Sequence, residues 1–400
     1  MRSDSERLSF EIPARDGAAR TGRLLTVHGP ITTPAFIPLA TRGSVRSLTA
    51  AEVGELGFEL VLGNTFHLLL TPGPERVANL GGLHSFMGWE RPIITDSGGF
   101  QVFSLAHGNV ADEIKGRRGG AGSSGSVLEI SEDGVRFRSY VDGSERFLGP
   151  EESMRVQAAL GSDIALAFDE CTPFHADRDY TARSTERTHR WLDRCIAWHE
   201  EEGPPAQAFF GIVQGGIYED LRRESAERVS ASRVDGLAIG GTLGRDKPEM
   251  YGVLDLTLPH LSPEAPKHLL GIGEPDDLLE GIARGIDLFD CAVPTRLARH
   301  GMALAPLPSE RFRFDLRKAA YAEDSSPLAE GCPCPTCASH TRAYLHYLCR
   351  ERELTGVHLL SIHNLAYLEA VVREAREAIA AGRFAAYREA MLGGAPPWAA

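Results

Sequence analysis

The sequence predicts an irregular (β/α)8 barrel, a TIM barrel, followed by a C-terminal zinc-binding, mostly helical subdomain. Two observations indicate this α/β fold class. Eight short apolar runs alternate with helical patterns through most of the chain, and a dense cluster of cysteines follows them. We expect the barrel to take residues 1–304 and the subdomain, packed on the barrel, to take residues 305–400.

Each of the eight apolar runs has the length of a β-strand and is bounded by turn residues, which is typical of parallel strands buried on both faces. Helices are predicted between them, and at residues 151–160 a proline precedes the pattern and a glycine follows it. The other predicted helices cover residues 185–200, 218–230 and 276–284. The apolar runs lie at residues 35–39, 60–62, 92–95, 164–168, 209–213, 237–239, 269–272 and 286–289.

Polar side chains come at the ends of the predicted strands, among them Asn64, Asp96, Asp169, Gln214 and Asp290. Parallel barrel strands all point one way, so these residues should converge on the face where barrel enzymes place their chemistry. A single aspartate after a strand is most often a helix N-cap. Three carboxylates and an amide at strand ends favour a shared site instead.

Composition and charge exclude several classes of protein. Hydrophobic residues make up 42% of the chain and charged residues 24%, which excludes a disordered protein. No apolar run approaches the roughly 20 residues of a membrane span, and the N-terminus lacks an apolar signal core, so we expect a cytoplasmic protein. A net charge of −13 excludes a globally basic nucleic-acid-binding protein, but it leaves room for a local basic patch.

Three of the seven cysteines lie within six residues, which indicates a metal site in a reducing compartment. Cys332, Cys334 and Cys337 together with His363 would form a closed Cys3His set, the arrangement of a structural zinc ion, one per chain. Buried cysteines without a ligand are the alternative. The choice of the fourth ligand stays open among His363 and its neighbours Cys349, His340, His346 and His358.

Two further segments are distinctive. Residues 116–126 are rich in glycine and predict a mobile loop, part of an insertion near 112–126 in the barrel. Near the C-terminus, a helical pattern aligns five apolar residues on one face, which predicts core packing. These residues are Leu368, Val371, Val372, Ala375 and Ile379.

Four ordered motifs narrow the function. They are TDSGGFQVFS at residues 95–104, FDEC at 168–171, GIVQGG at 211–216 and FDCAVPTR at 289–296. The first is neither a phosphate-binding loop nor the nucleophile elbow of hydrolases. Together with the cysteine spacing, the motifs closely resemble the bacterial tRNA-guanine transglycosylases over about residues 8–390.

The resemblance implies an enzyme of queuosine biosynthesis. It would exchange the wobble guanine of tRNAs with GUN anticodons for 7-aminomethyl-7-deazaguanine, by a double displacement. By resemblance Asp290 is the nucleophile that attacks the ribose, and Asp96 is the acid/base that protonates the departing guanine. The family also suggests a homodimer. Thr242 stands where the family usually has leucine, which leaves the identity of the incoming base open.

The resemblance also assigns binding residues. Phe100 and Leu270 would form the walls of a pocket for a flipped purine, and Ser97 would contact the base or orient Asp96. The base-binding residues implied are Ser97, Gly98, Gly99, Phe100, Asp169, Cys171, Gln214, Gly240, Gly241 and Leu270. The RNA-binding residues implied are Gly271, Ile272, Gly273, Glu274, Pro275, Asp276, Asp277, Thr295, Arg296, Leu297, Ala298 and Arg299. A basic stretch is expected to extend this surface through Arg311, Arg313, Arg317 and Lys318.

Two other functions were weighed. A non-catalytic RNA-binding subunit is expected to lose a catalytic carboxylate, whereas this chain has both Asp96 and Asp290. A barrel hydrolase of small glycosides would use the same two carboxylates but would leave the cysteine cluster and the arginine segment without a role.

Overall fold

The computed structural model describes residues 7–106, 127–172, 176–241 and 243–399. The predicted glycine-rich insertion near residues 112–126 and the departure at Thr242 lie outside the described residues. Within the described ranges, no helix is both long enough and apolar enough to cross a membrane.

Eight parallel strands close into a barrel, which confirms the predicted fold class. Every predicted apolar run overlaps one of these strands. Around the barrel the order is β4-β5-β6-β10-β11-β12-β13-β14, and the last strand pairs with the first. The described strands, in chain order, are β1 (Ser9–Asp16), β2 (Ala19–Thr26), β3 (Gly29–Thr33), β4 (Ala35–Ala40), β5 (Val61–Gly63), β6 (Ile93–Thr95), β7 (Val127–Ile130), β8 (Val135–Arg138), β9 (Glu145–Leu148), β10 (Ile164–Leu166), β11 (Ala208–Val213), β12 (Gly236–Ile239), β13 (Lys267–Leu269), β14 (Leu288–Cys291), β15 (Met302–Leu304) and β16 (Arg313–Asp315).

Helices connect and surround the strands. The helix predicted at residues 151–160 begins at Pro150 and ends against Gly161, whose positive φ of 73° suits a glycine. The helix predicted at 185–200 starts earlier, at Arg178, because the Asp177 carboxylate accepts the Tyr180 N–H and caps it. The described α-helices are α1 (Ala50–Glu55), α2 (Thr65–Leu70), α3 (Pro74–Asn79), α4 (Gly82–Met87), α5 (Gly99–Ala106), α6 (Pro150–Leu160), α7 (Arg178–Glu201), α8 (Glu219–Ser230), α9 (Lys247–Thr257), α10 (Pro275–Ala283), α11 (Val293–Arg299), α12 (Pro335–Ser339), α13 (Arg342–Glu351), α14 (Leu354–Ala380) and α15 (Phe384–Leu392).

Two antiparallel sheets accompany the barrel, β1-β2-β3 and β7-β8-β9. Leu24 and Ile31 of the first sheet are fully buried in the apolar cluster that also contains the strand residues Ile37, Ile94 and Leu288. The first sheet therefore contributes to the packing of the barrel interior. Neither sheet was predicted, because none of their six strands contains an uninterrupted apolar run of strand length.

The long helix α14 joins the C-terminal region to the barrel. Its predicted apolar face is buried, as expected, and packs in the main core. The helix contacts β1, β2 and β4 on one side and α11, α13 and β15 on the other. Helix α15 follows α14 in the chain and packs against it.

A buried ion pair fixes the first sheet to the segment directly before β14. Arg20 of β2 donates from Nε to Asp287 Oδ1 at 2.9 Å and from Nη2 to Oδ2 at 2.6 Å, and both side chains are almost inaccessible. Asp287 also accepts the Lys267 N–H at 2.7 Å. Breaking such a pair leaves an uncompensated buried charge, which costs more than the pair itself contributes.

We predict that Asp287→Ala lowers the free energy of unfolding by about 3–5 kcal/mol, because the Arg20 guanidinium stays buried without its partner. Urea denaturation measures the loss. The matched control is Glu264→Ala, which removes an exposed partner of Arg15 and should cost less than about 1 kcal/mol. Equal losses in the two variants would contradict the importance of the buried pair.

Candidate active site

Two aspartates meet at the carboxyl-terminal mouth of the barrel. Asp96 follows β6 directly, and Asp290 lies near the end of β14. They are close enough that the charge of Asp290 raises the pKa of Asp96, although burial of Asp96 makes the larger contribution. The fold thus brings together two carboxylates that are 194 positions apart in the sequence.

Asp96 is held by the start of helix α2. The Asn64 side-chain amide donates to Asp96 Oδ2, and the Thr65 backbone N–H donates to Oδ1 at 2.8 Å. Asn64 also caps α2, because its Oδ1 accepts the His67 N–H at 2.9 Å. Sequence reasoning noted Asn64 as a strand end but gave it no role. Its role could have been inferred from its position, because Asn64 follows β5 and β5 pairs with β6, the strand that precedes Asp96.

The environment of Asp96 suits proton transfer near neutrality. Burial raises the pKa of Asp96 to about 7, and the charge of Asp290 adds to the rise while the Thr65 N–H opposes it. A group with a pKa near the working pH both gives and takes a proton efficiently. Asp96 therefore has the properties of a general acid and base.

Asp290 has a different environment. Its Oδ1 accepts the Gly271 N–H at 3.1 Å and lies 2.9 Å from His268 Nε2. His268 is completely buried, and its Nδ1 has no hydrogen-bond partner within the described ranges. The neutral ring with its proton on Nε2 satisfies this arrangement, because a proton on Nδ1 would be a buried donor without an acceptor. In the same ranges nothing donates to Oδ2, so that oxygen is available for attack.

His268 was missed by sequence reasoning, and Gly271 was assigned to the RNA instead. A single histidine inside a short buried strand is not part of a motif with a recognisable spacing. A hydrogen bond from a backbone N–H has no sequence pattern, because almost every residue has that group. Gly271 has a φ of 74°, a conformation that favours glycine, and it follows the strand that carries His268 by two residues.

Asp169 and Gln214 are buried next to each other, where the base-binding pocket is predicted. Asp169 Oδ1 accepts the Ser97 hydroxyl at 2.9 Å, and Oδ2 accepts the Gln214 amide at 2.6 Å. Burial raises the pKa of Asp169 to about 6, although both hydrogen bonds oppose the rise. Ser97 therefore orients Asp169 and not Asp96. Gln214 Oε1 is buried and finds no partner among the described residues.

The glycines and apolar residues predicted for this pocket surround the same groups. A side chain at Gly99 would collide with the Asp169 backbone oxygen, and one at Gly241 would collide with Gln214 Oε1. Leu270 lies beside Gly240, and Phe100 at the start of α5 is 37% exposed. The remaining pocket predictions concern Gly98, which precedes α5, and Cys171, whose pKa is raised by burial so that it stays a thiol.

The predicted RNA-binding segments differ in exposure. In α11 the side chains of Thr295, Leu297 and Ala298 are buried, whereas Arg296 and Arg299 reach solvent. In the segment from residue 271 to 277, Ile272 packs against the core and Pro275 begins α10.

The acidic residues of that segment are engaged within the protein. The Lys247 ammonium contacts Asp276 at 2.6 Å and both Glu274 and Asp277 at 3.0 Å. Gly273 next to them packs tightly against Cys291.

The arginines of the expected basic stretch at residues 311–318 have carboxylate neighbours. Arg311 and Arg313 share Glu274 at 2.8 and 3.2 Å, and Arg317 pairs with Asp315 at 2.8 Å. One carboxylate does not neutralise two arginines, and that the stretch extends a positive surface stays a prediction.

The Cys3His set is assembled as predicted. The thiol sulfurs of Cys332, Cys334 and Cys337 lie 3.8, 3.5 and 3.3 Å from His363 Nδ1. Tetrahedral zinc with ordinary bond lengths separates sulfur and nitrogen ligands by about 3.6 Å, so the four groups fit the ion. His363 Nε2 donates to the Leu304 carbonyl at 2.8 Å, which leaves Nδ1 free to bind the metal.

The other candidates for the fourth ligand are engaged elsewhere. His346 Nδ1 contacts the Leu316 carbonyl at 2.7 Å, and His358 Nδ1 contacts the Ser47 carbonyl at 2.8 Å. His340 stacks on Tyr344. Cys349 is not among the four residues whose ligand atoms lie within 4.8 Å of one another, which are Cys332, Cys334, Cys337 and His363.

Comparison with known proteins gives one consistent result. The family model described as Queuine tRNA-ribosyltransferase matches residues 16–396. A queuine tRNA-ribosyltransferase of Roseiflexus sp. (strain RS-1) is 51% identical over 397 residues, which cover 96% of this chain and 99% of that protein. Proteins of the same name from Pelotomaculum thermopropionicum and Symbiobacterium thermophilum are each 46% identical, over 96% of this chain and 98% and 90% of their own lengths.

We predict that Cys334→Ser releases the zinc and lowers the melting temperature, because the closed site loses one of its four ligands. Metal analysis of the purified protein should give about one zinc per wild-type chain and much less in the variant. The control is Cys349→Ser, whose thiol is not one of the four grouped ligands and which should keep the metal. Zinc retained in full by Cys334→Ser would contradict the ligand set.

Proposed function

The chain belongs to the queuine tRNA-ribosyltransferase family, and on this premise we propose that it is a tRNA-guanine transglycosylase of queuosine biosynthesis. In this proposal it exchanges the wobble guanine of tRNAs with GUN anticodons for 7-aminomethyl-7-deazaguanine. The observation that carries the proposal is the pair of aspartates at the barrel mouth, one with a pKa near 7 and one fixed by His268 and Gly271.

The first displacement forms a covalent ribosyl enzyme. Asp290 Oδ2 attacks the ribose C1′, and the bond from C1′ to the guanine nitrogen breaks as the new carbon–oxygen bond forms. The electron pair of the broken bond passes to the purine, which takes a proton from the Asp96 carboxyl. His268 and Gly271 hold Oδ1 of Asp290 and so direct the other oxygen toward the sugar.

The second displacement reverses these roles. The Asp96 carboxylate removes a proton from the ring nitrogen of the incoming 7-deazaguanine, and that nitrogen attacks C1′ and displaces Asp290. Two inversions at one carbon retain its configuration. One glycosidic bond is exchanged for another, so the reaction needs no external source of energy.

We further propose that Asp169 and Gln214 recognise the base. The ionised Asp169 carboxylate accepts hydrogen bonds from purine N–H groups, and the Gln214 amide donates to the purine carbonyl. Support comes from the burial of both groups and from Gln214 Oε1, a buried polar atom with no hydrogen-bond partner among the described residues. Ser97, Gly99 and Gly241 shape this pocket, with Phe100 and Leu270 as its apolar walls.

The zinc ion, when bound, supplies structural rigidity and takes no part in the chemistry. His363 binds the Leu304 carbonyl, and the adjacent Asn364 accepts the Leu304 N–H at 2.8 Å and donates to the Pro294 carbonyl at 3.0 Å. Pro294 lies in α11, the helix that carries Arg296 and Arg299. The subdomain at residues 305–400 thus supports the helix that we propose to bind the anticodon loop.

We also propose that the enzyme works in the cytoplasm as a homodimer. Exposed apolar side chains on two consecutive helices, Tyr344 and Tyr347 of α13 and Leu354 of α14, offer surface for a second copy of the chain. This assignment rests on the family and on that surface.

We predict that Asp290→Asn abolishes base exchange, lowering the rate by roughly 10⁴-fold or more, because the amide cannot attack the ribose. The measurement is incorporation of radiolabelled guanine into a tRNA with a GUN anticodon, with denaturing gels to detect the covalent RNA adduct. RNA affinity should stay within about threefold, and Asp255→Asn, an exposed surface change, should behave as wild type. A covalent adduct formed by Asp290→Asn would reject the nucleophile.

The pKa values predict a bell-shaped pH profile for guanine exchange. Asp169 must be ionised to accept the base, so kcat/KM falls as the pH drops through about 6. Asp96 must be protonated for the first displacement, so kcat/KM also falls as the pH rises through about 7. Asp96→Asn should lose the upper limb of the profile. An unchanged upper limb in that variant would remove Asp96 from the proton transfer.

A further inference from the structure

Four arginines beside the catalytic mouth make no ion pair within the described residues. They are Arg42 and Arg46, in the loop after β4, and Arg296 and Arg299 of α11. Burial lowers the pKa of Arg299, and the charges of Arg46 and Arg296 lower it further, which shows how close the three lie. In a chain of net charge −13, a cluster of cations without carboxylates indicates an anionic ligand.

An exposed tyrosine extends this cluster across the mouth. Tyr140 follows β8 and is 46% exposed. Its hydroxyl accepts a hydrogen bond from Arg42 Nη2 at 3.3 Å and lies 2.8 Å from His67 Nδ1. Burial, then the charges of Arg42 and Arg46, lower the pKa of His67, so its neutral ring accepts the tyrosine O–H.

The same contacts fix the aromatic ring at its edge. The rings of His67 and Tyr140 meet edge to face with centroids 5.6 Å apart, and the Phe66 ring lies 6.1 Å away. The Arg42 guanidinium lies 5.9 Å from the Tyr140 ring centroid. A tyrosine restrained in this way and still exposed is a preorganised surface for stacking.

This surface shares His67 with the residues that hold the catalytic acid/base. The His67 ring contacts Tyr140, the His67 backbone N–H donates to Asn64 Oδ1, and the Asn64 amide donates to the Asp96 carboxylate. The ring and the backbone of His67 therefore place Tyr140 near the support of Asp96. A ligand bound at Tyr140 lies next to the point where the flipped base enters the pocket.

We propose that Tyr140, Arg42 and Arg46 bind a nucleotide of the anticodon loop that neighbours the flipped guanine. Tyr140 stacks on its base, and the two arginines bind the adjacent phosphates. A base that flips out leaves its neighbour without a stacking partner, and an aromatic ring at the pocket mouth replaces that partner. The inference rests on the proposed function, because it assigns the substrate of the same site.

The test compares variants by binding and by kinetics. Fluorescence anisotropy with a labelled anticodon stem-loop of GUN sequence gives Kd at several salt concentrations, and guanine exchange gives kcat and KM. Tyr140→Ala should raise Kd and KM by roughly 5- to 100-fold while kcat at saturating RNA changes less than about threefold. Tyr140→Phe and Tyr140→Trp should bind within about threefold of wild type, because each keeps an aromatic face.

The electrostatic part of the site has its own readout. Arg42→Ala should weaken binding and reduce the slope of log K against log salt by about one, since one phosphate contact is lost. The matched control is Phe147→Ala, which removes an aromatic ring of similar exposure, 44%, from β9 of the same sheet. It should leave Kd, KM and the salt slope unchanged.

The outcomes separate this inference from the proposed function. If wild type exchanges guanine but Tyr140→Ala binds the stem-loop as wild type does, the nucleotide site is rejected and the enzyme assignment stands. The site would also be rejected if Phe147→Ala weakened stem-loop binding as much as Tyr140→Ala does. It would be rejected as well if Tyr140→Ala changed only the oligomeric state of the protein. If wild type exchanges no guanine at any RNA concentration, the proposed function itself fails.

Discussion

The candidate active site depends on holding two carboxylates of like charge close together at the mouth of the barrel. Two such groups do not both ionise easily, and the protein separates them by environment. Asp96 is desolvated and keeps a proton near neutral pH, whereas Asp290 receives donors from His268 and Gly271. In the proposed function, these two environments make one aspartate the nucleophile and the other the acid.

That arrangement needs support from both ends of the barrel strands. Below β14, the Arg20–Asp287 pair joins the strand to the first antiparallel sheet, and above it α11 is bound to α14 through Asn364. Asn364 follows the zinc ligand His363 directly in the sequence. The metal site, α11 and β14, which directly precedes α11, therefore form one continuous set of contacts.

Sequence reasoning reached the barrel because strands buried on both faces leave uninterrupted apolar runs. It reached Asp96, Asp169, Gln214 and Asp290 because parallel strands end on a common face. It did not reach β1–β3 or β7–β9, because none of these strands contains an uninterrupted apolar run of strand length.

The supporting groups of the site were also beyond the sequence. The Thr65 and Gly271 contacts come from backbone N–H groups, which every residue but proline has, and His268 sits inside a strand where only the fold shows what it faces. The orientation of Ser97 toward Asp169 likewise depends on the turn before α5. The pairing of Arg311 and Arg313 with Glu274 depends on contact between segments that are distant in the sequence.

Gln214 and Asp169 already bind each other. If these two groups recognise the base as proposed, an arriving purine must first break that hydrogen bond. A molecule that offers both a donor to the carboxylate and an acceptor to the amide replaces everything that was lost. A molecule that offers only the donor or only the acceptor leaves one buried polar group without a hydrogen bond. The proposed site would therefore discriminate against similar heterocycles without a steric barrier.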